Sequence, residues 1–73
     1  MGIVIGAAQL QRELAKRGLN QVELARLAGV APATVTHAIH GRPVTPGTVA
    51  RIARALLRVP VIDGIDSLLA GSV

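Results

Sequence analysis

Two histidines are the side chains of this sequence best suited to metal binding or proton transfer. His37 and His40 stand three positions apart, a spacing at which two imidazoles on one helix face could share a metal ion. A structural zinc normally takes four ligands, but the chain has no cysteine and its nearest carboxylates lie far along the sequence. The only serines, Ser67 and Ser72, are also distant from the histidines, and no carboxylate pair has acid–base spacing. We therefore expect no enzyme activity, no metal and no cofactor.

The composition excludes further classes. The 73 residues are enough for one domain, residues 1–73, and their 51% hydrophobic content with mean hydropathy +0.53 is too apolar for a disordered tail. No phenylalanine, tyrosine or tryptophan is present to stack single-stranded bases. No phosphate-binding glycine loop appears, and no uncharged apolar run approaches ~18 residues. We expect a cytoplasmic domain without membrane contact or small-molecule ligand.

The basic residues are concentrated in one segment of the chain. All eight lysines and arginines lie between positions 12 and 58, where only two glutamates oppose them, giving 8 − 2 = +6 for that segment. The sequence pI is about 11.6. This distribution fits either a surface that binds a polyanion such as nucleic acid or a solvated basic face that keeps an apolar domain soluble.

Apolar residues at helical spacing, separated by glycine and proline, predict an all-α chain of about five short helices. Asn20 followed by Glu23 predicts a capping box, and proline at positions 32 and 46 fits the first position of a helix. The helices are predicted from about Ile3 to Gly18, from Asn20 to Gly29, from Pro32 to about His40, from Thr45 to Pro60 with Val49, Ile52, Ala53 and Leu56 inward, and from Asp63 to about Ala70. In the first turn of the first helix, Gly6 and the β-branched Ile3-Val4-Ile5 disfavour helix and leave its start open.

The stretch from Gln21 to Gly41 has the spacing of two helices that cross steeply through a tight turn. Ala25 provides the small side chain needed where the helices touch, and Gly29 suits a turn residue with positive φ. Val30 and Val35 would then point into the core and lock the second helix against the first. This spacing indicates a helix-turn-helix: a small residue at position 25, a glycine four positions later and a β-branched residue six positions after the glycine.

The same residues resemble the phage repressor and Cro (Xre-type) helix-turn-helix family. The matching features are Gln21-x-x-Leu24-Ala25, Gly29-Val30, Thr34-Val35, Gly41, Thr45-Pro46 and Ile52-Ala53-x-Ala55-Leu56. The resemblance covers about four fifths of the chain, roughly residues 10–69. It implies a compact, lambda-repressor-like DNA-binding bundle, with the motif at residues 21–41 and a recognition helix at about residues 32–40 that enters the major groove of double-stranded DNA.

The resemblance also implies roles for individual residues. Pro32, Ala33, Thr36 and His37 occupy the positions that usually read bases. Gln21 and Arg42 match positions that contact the DNA backbone, and weaker candidates for that role are His40, Arg17 and Arg26.

Two of these positions depart from the family pattern, and for other residues the alternative to DNA contact is a purely structural role. Pro32 and Ala33 have no side-chain group to hydrogen-bond a base, so DNA shape and backbone fit would carry much of the specificity. The Thr36 hydroxyl could instead bond the carbonyl four residues back. Gln21 could be a surface helix former, and arginines 51, 54 and 58 could form a solvated face or internal ion pairs.

The ends of the chain carry more apolar residues than the predicted core can house. Residues 60–73 are the candidate homodimer segment, through Ile62, Ile65, Leu68 and Leu69, although these residues could simply cap the domain's own core. The resulting hypothesis is a bacterial or phage transcriptional repressor of prophage, plasmid or antitoxin type that binds a palindromic operator as a homodimer. The alternative is a module of the same shape that binds a partner protein.

Overall fold

The computed structural model describes residues 2–64, and within that range the fold consists of four helices. They are α1 (Ala7–Arg17), α2 (Gln21–Ala28), α3 (Pro32–Ile39) and α4 (Pro46–Arg58). The predicted all-α fold is confirmed. The predicted fifth helix begins at the edge of the described range and lies mostly outside it.

The helix boundaries follow from short-range sequence features. Gly18 and Gly29 end α1 and α2 in the left-handed region, at φ 65° and 69°. The predicted capping box of α2 is confirmed: the Asn20 carbonyl oxygen Oδ1 accepts from Glu23 N at 2.7 Å, and Glu23 Oε1 accepts from Asn20 N at 3.1 Å. Thr45 caps α4 by accepting from Thr48 N at 3.2 Å. These local bonds satisfy amides that a helix start leaves unpaired.

The prediction that the first helix begins near Ile3 is wrong. Ile3 is extended and forms an isolated antiparallel bridge with Val44, in which Ile3 N donates to Val44 O at 2.7 Å and Val44 N donates to Ile3 O at 2.8 Å. Helix α1 begins only after Gly6, its N-cap residue. β-Branched residues at positions 3–5 favour extended backbone, and this pairing holds the N-terminal segment against the α3–α4 connection.

The core is aliphatic and lies where the four helices meet. Leu24 and Val35 are its largest fully buried side chains. Helix α4 contributes Ile52 and Ala55, whereas Ala53, predicted to face inward, is exposed. Positions 52, 55 and 56 form the inward stripe of α4, and position 53 falls at its solvent edge. The buried set is Leu10, Leu14, Leu24, Ala25, Ala28, Val35, Ala38, Ile39, Val44, Ile52 and Ala55.

Arg17 joins the end of α1 to the end of α4. Its Nε donates to the backbone oxygens of Leu56 and Val59, both at 2.9 Å, and its Nη1 donates to Glu13 O at 3.1 Å and Glu13 Oε1 at 2.6 Å. The carbonyls at a helix C-terminus lack helical partners and carry partial negative charge. A guanidinium therefore suits this place, and it anchors the last turn of α4.

Candidate nucleic-acid interface

Helices α2 and α3 and the turn between them form the geometric unit of the site. Val30 N donates to Ala25 O at 3.0 Å, which closes the turn after Gly29. Ala25 and Val35 are 2% and 0% exposed, and Val30 packs against the core cluster at its edge. The buried face of α3 is thereby fixed to α2, and the direction of its other face is set by the turn.

That other face of α3 is open to solvent. Pro32, Ala33 and His37 are exposed and Thr36 is half-buried, whereas Val35, Ala38 and Ile39 of the same helix are buried. Positions 32, 33, 36 and 37 fall on one side of a helix because residues four apart are neighbours on its surface. The structure thus brings together the four residues predicted to read bases.

The N-terminus of α2 lies beside this face. Gln21, the first residue of α2, is exposed, and its Oε1 lies 3.2 Å from Thr36 Oγ1, which donates to it. Thr36 Oγ1 also lies 3.1 Å from Pro32 O, the bond to the carbonyl four residues back that competes with base reading. A residue expected to contact phosphate and one expected to read a base are therefore in direct contact.

His40 shares a surface with Gln21. Both residues line an open concavity of about 450 Å³, together with the polar residues Gln11 and Asn20 and the apolar residues Leu14, Ala15, Leu19 and Ile39. His40 is exposed and forms the C-cap of α3. Two of the predicted backbone contacts, Gln21 and His40, thus line one surface.

The predicted arginine contacts differ in their surroundings. Arg42 is exposed just beyond α3, where its backbone N donates to His37 O at 2.9 Å and follows Gly41 at φ 73°. Arg26 is exposed on the last turn of α2. Arg17, by contrast, has a side chain only 12% exposed, and its donors are directed to Glu13 and to the end of α4. The guanidinium of Arg17 is therefore engaged within the fold, and its predicted phosphate contact stays a prediction.

For two interactions of basic side chains within the fold, the partner was not predicted from the sequence. Arg51 Nη1 donates to Gly29 O at 3.2 Å, so α4 supports the turn of the motif. The sequence offers no local indication of this bond, because the two residues are 22 positions apart. Lys16 and Arg17 flank Glu13, whose pKa is lowered chiefly by the hydrogen bond from Arg17 and further by the two positive charges, against a smaller opposing effect of burial.

The predicted dimer residues are described only in part. Ile62 is 46% exposed, and its backbone N donates to Lys16 O at 3.0 Å, which places it beside the end of α1 of the same molecule. Ile65, Leu68 and Leu69 lie outside the described residues, as does most of the predicted interface at residues 60–73. None of the four helices in residues 2–64 is long and apolar enough to cross a membrane.

A short helix, a glycine turn and a second helix with its N-terminal half exposed, all within an all-helical fold, define a helix-turn-helix domain of lambda-repressor-like type. The helix-turn-helix family model matches residues 10–61, and the chain belongs to this Xre-type, lambda-repressor-like family. It is a family of DNA-binding regulators rather than enzymes. The chain has no significant match among curated proteins or solved structures.

Proposed function

We propose that this chain is a small transcriptional repressor, of prophage, plasmid-immunity or antitoxin type, that binds a specific double-stranded DNA sequence as a homodimer. The observation that carries the proposal is the solvent-facing side of α3, where Pro32, Ala33, Thr36 and His37 form a continuous polar and small-residue surface. A helix held in this way by its partner helix can lie in the major groove with its first two turns against base edges.

Direct base reading would rest on few groups. Ala33 can pack against a thymine methyl, and His37 can donate to guanine O6 or N7. Pro32 and Ala33 leave the leading end of α3 without side-chain hydrogen-bonding groups, so the backbone approaches the DNA closely. Much of the sequence preference would then come from groove shape and from how easily the DNA deforms.

Backbone contacts would come from the residues around α3. Gln21 and His40 lie on one surface beside the N-terminus of α2, where unpaired amides and the helix dipole favour a phosphate. Arg42 follows α3 in an exposed loop, and Arg26 is exposed on α2. Such contacts fix the register of the protein on DNA without reading its sequence.

Homodimerisation is the second part of the proposal. Ile62, exposed at the end of the described chain, and Ile65, Leu68 and Leu69 beyond it would supply an apolar interface in residues 60–73. A two-fold axis would set the two α3 helices about 34 Å apart, one turn of DNA, and would match a palindromic operator. Such a dimer would repress by covering a promoter.

Selection of bound fragments from random duplex DNA tests the proposal and yields both the operator and its half-site spacing. Binding should fall with salt, with a slope of log K against log salt of about −5 if each protomer neutralises about three phosphates. His37→Ala should cost about 1–3 kcal/mol on the operator and relax one base preference, whereas Arg42→Ala should weaken all sequences alike. Binding insensitive to salt, or no enrichment of any sequence, would contradict the proposal.

A partner-protein module of the same shape is the alternative, and the exposed apolar side chains favour it as a second candidate. Leu57 on α4 is 83% exposed and Val4 is 60% exposed. An interface built on such residues would be nearly insensitive to salt and to Arg42→Ala, which separates the two functions in one titration.

A further inference from the structure

We propose that Thr36 is a positioning residue for Gln21 rather than a reader of bases; this inference rests on the proposed DNA-binding function. The family resemblance places Thr36 among the base-reading positions. In the structure, however, Thr36 is half-buried as a residue, and its hydroxyl has two acceptors within reach, Gln21 Oε1 at 3.2 Å and Pro32 O at 3.1 Å. A hydroxyl has a single proton, which these two acceptors share, so the donor of Thr36 is already used within the fold.

The contact with Thr36 selects one orientation of the Gln21 amide. A side-chain amide has an oxygen that accepts and a nitrogen that donates two hydrogen bonds. When Oε1 accepts from Thr36, the nitrogen Nε2 of this exposed residue is left as the free donor, because it donates to no other residue in the described range 2–64. A phosphate oxygen only accepts hydrogen bonds. Thr36 therefore presents the end of the amide that a DNA backbone can use.

The position of Gln21 gives this orientation its effect. Gln21 is the first residue of α2, directly after the Asn20 cap, and an exposed glutamine in this place would otherwise sample several rotamers. Holding the side chain before DNA arrives reduces the conformational freedom lost on binding. The bond also crosses from α2 to α3, so the phosphate contact is tied to the helix that enters the groove.

The two possible roles of Thr36 predict different patterns of loss. A base reader changes discrimination at one operator position, whereas a positioning residue acting through a phosphate contact weakens every duplex alike. A positioning residue also has no effect once its target side chain is removed, because the two substitutions then share one interaction.

The test is a double-mutant cycle with the full chain, using the selected operator and a random-sequence duplex as probes. Thr36→Val, which keeps the β-branched shape and removes the hydroxyl, should weaken both probes by the same factor of about threefold to tenfold. Thr36→Ser, which keeps the hydroxyl, should bind within about twofold of wild type. In the Gln21→Ala background, Thr36→Val should have no further effect. A changed base preference, or an undiminished effect in that background, would overturn the positioning role.

A second measurement needs no DNA. Nuclear relaxation of the Gln21 side-chain NH2 group should show an ordered amide in wild type and Thr36→Ser and a more mobile one in Thr36→Val, with equal thermal stability in all three. Equal mobility in all three would overturn the positioning role. A wild-type chain that binds neither probe would overturn the proposed function instead, and the relaxation measurement would still report whether Thr36 holds Gln21.

Discussion

Replacing Arg17 by alanine should destabilise the fold more than replacing any exposed arginine. The guanidinium donates to backbone oxygens of Leu56 and Val59 and to the backbone and side chain of Glu13, and only 12% of its side chain is exposed. The substitution removes the bonds that tie the last turn of α1 to the end of α4. It also removes the positive charge that faces the α4 C-terminus.

The magnitude follows from counting these bonds conservatively. The two α4 carbonyls share one Nε–H, so they amount to a single charge-assisted hydrogen bond, which typically contributes about 1.5–3 kcal/mol. The ion pair adds less than about 1 kcal/mol, because the Glu13 side chain is 38% exposed and the interaction is screened by solvent. We expect a loss of about 2–3 kcal/mol, a large fraction of the stability of a domain this small. The corresponding fall in Tm is roughly 10–20 °C.

Urea unfolding followed by far-ultraviolet circular dichroism is the suitable assay, because the chain has no tryptophan or tyrosine to report by fluorescence. Arg12→Ala is the matched control: the residue lies on the same helix and is exposed, and its side chain makes no hydrogen bond to another residue of the described range 2–64. It should change stability by less than about 0.5 kcal/mol. Arg17→Lys keeps the charge without the planar fork and should recover less than half of the loss. Equal stabilities for the Arg17→Ala and Arg12→Ala variants would refute the reasoning.

Three further predictions concern stability. Gly29→Ala should lower the free energy of unfolding in urea by about 1–2 kcal/mol, because φ is 69° at this position. Gly47→Ala in the first turn of α4 should be neutral or stabilising by up to about 1 kcal/mol, because an added Cβ there meets nothing closer than 4.0 Å. The opposite order of the two variants would contradict the role of the turn glycine. Asn20→Ala removes the capping box and should cost about 1 kcal/mol, measured in the same way, while an unchanged midpoint would show that the cap contributes nothing. Because the folded-state pKa of Glu13 is lowered, its contribution to stability is present above the unfolded pKa of about 4.3 and is lost as pH falls through the folded-state pKa. Unfolding measured against acid pH should therefore be less pH-dependent in Arg17→Ala than in wild type, and identical profiles would contradict this linkage.

The parts of the fold that were predictable from sequence depend on neighbours along the chain. The capping box joins Asn20 to Glu23, the turn depends on Gly29, and Pro32 marks the first position of α3. Each of these features acts within one helical turn, so residue type and spacing are sufficient to identify it. The four described helices follow from such features, and they place the exposed side of α3.

The errors arose where distant segments decide the outcome. Ile3 could continue a helical pattern, but it pairs with Val44, 41 positions away in sequence, and this bridge keeps the N-terminal segment extended. The internal bonds of Arg17 were likewise not predicted, because its acceptors at the end of α4 are 39 and 42 positions away. No local pattern encodes such a contact, because it exists only after the helices have packed.

The same limit applies to the site. Spacing alone groups Pro32, Ala33, Thr36 and His37 on one side of α3, and the structure agrees on their shared face. The contact between Thr36 and Gln21 crosses from one helix to another and depends on the angle set by the turn. Position along a helix therefore predicts which residues share a face better than it predicts what each of them contacts.

The distribution of charge in the folded chain restricts how many phosphates one protomer can neutralise. Of the eight cations, Lys16 and Arg17 face Glu13, and three of the six exposed arginines lie on α4 rather than on the motif. Arg26 and Arg42 are the arginines of the motif and its adjoining loop, so about three phosphates per protomer already requires one further cation, and Arg12 of α1 is the remaining exposed arginine outside α4. A dimer slope much steeper than about −5 would therefore mean that Arg54 or Arg58 of α4 also reaches the DNA, and each alanine substitution there should then reduce the slope by about 1. If the slope is near −5, the same substitutions should leave it unchanged, because the α4 arginines then only shape the field that attracts DNA.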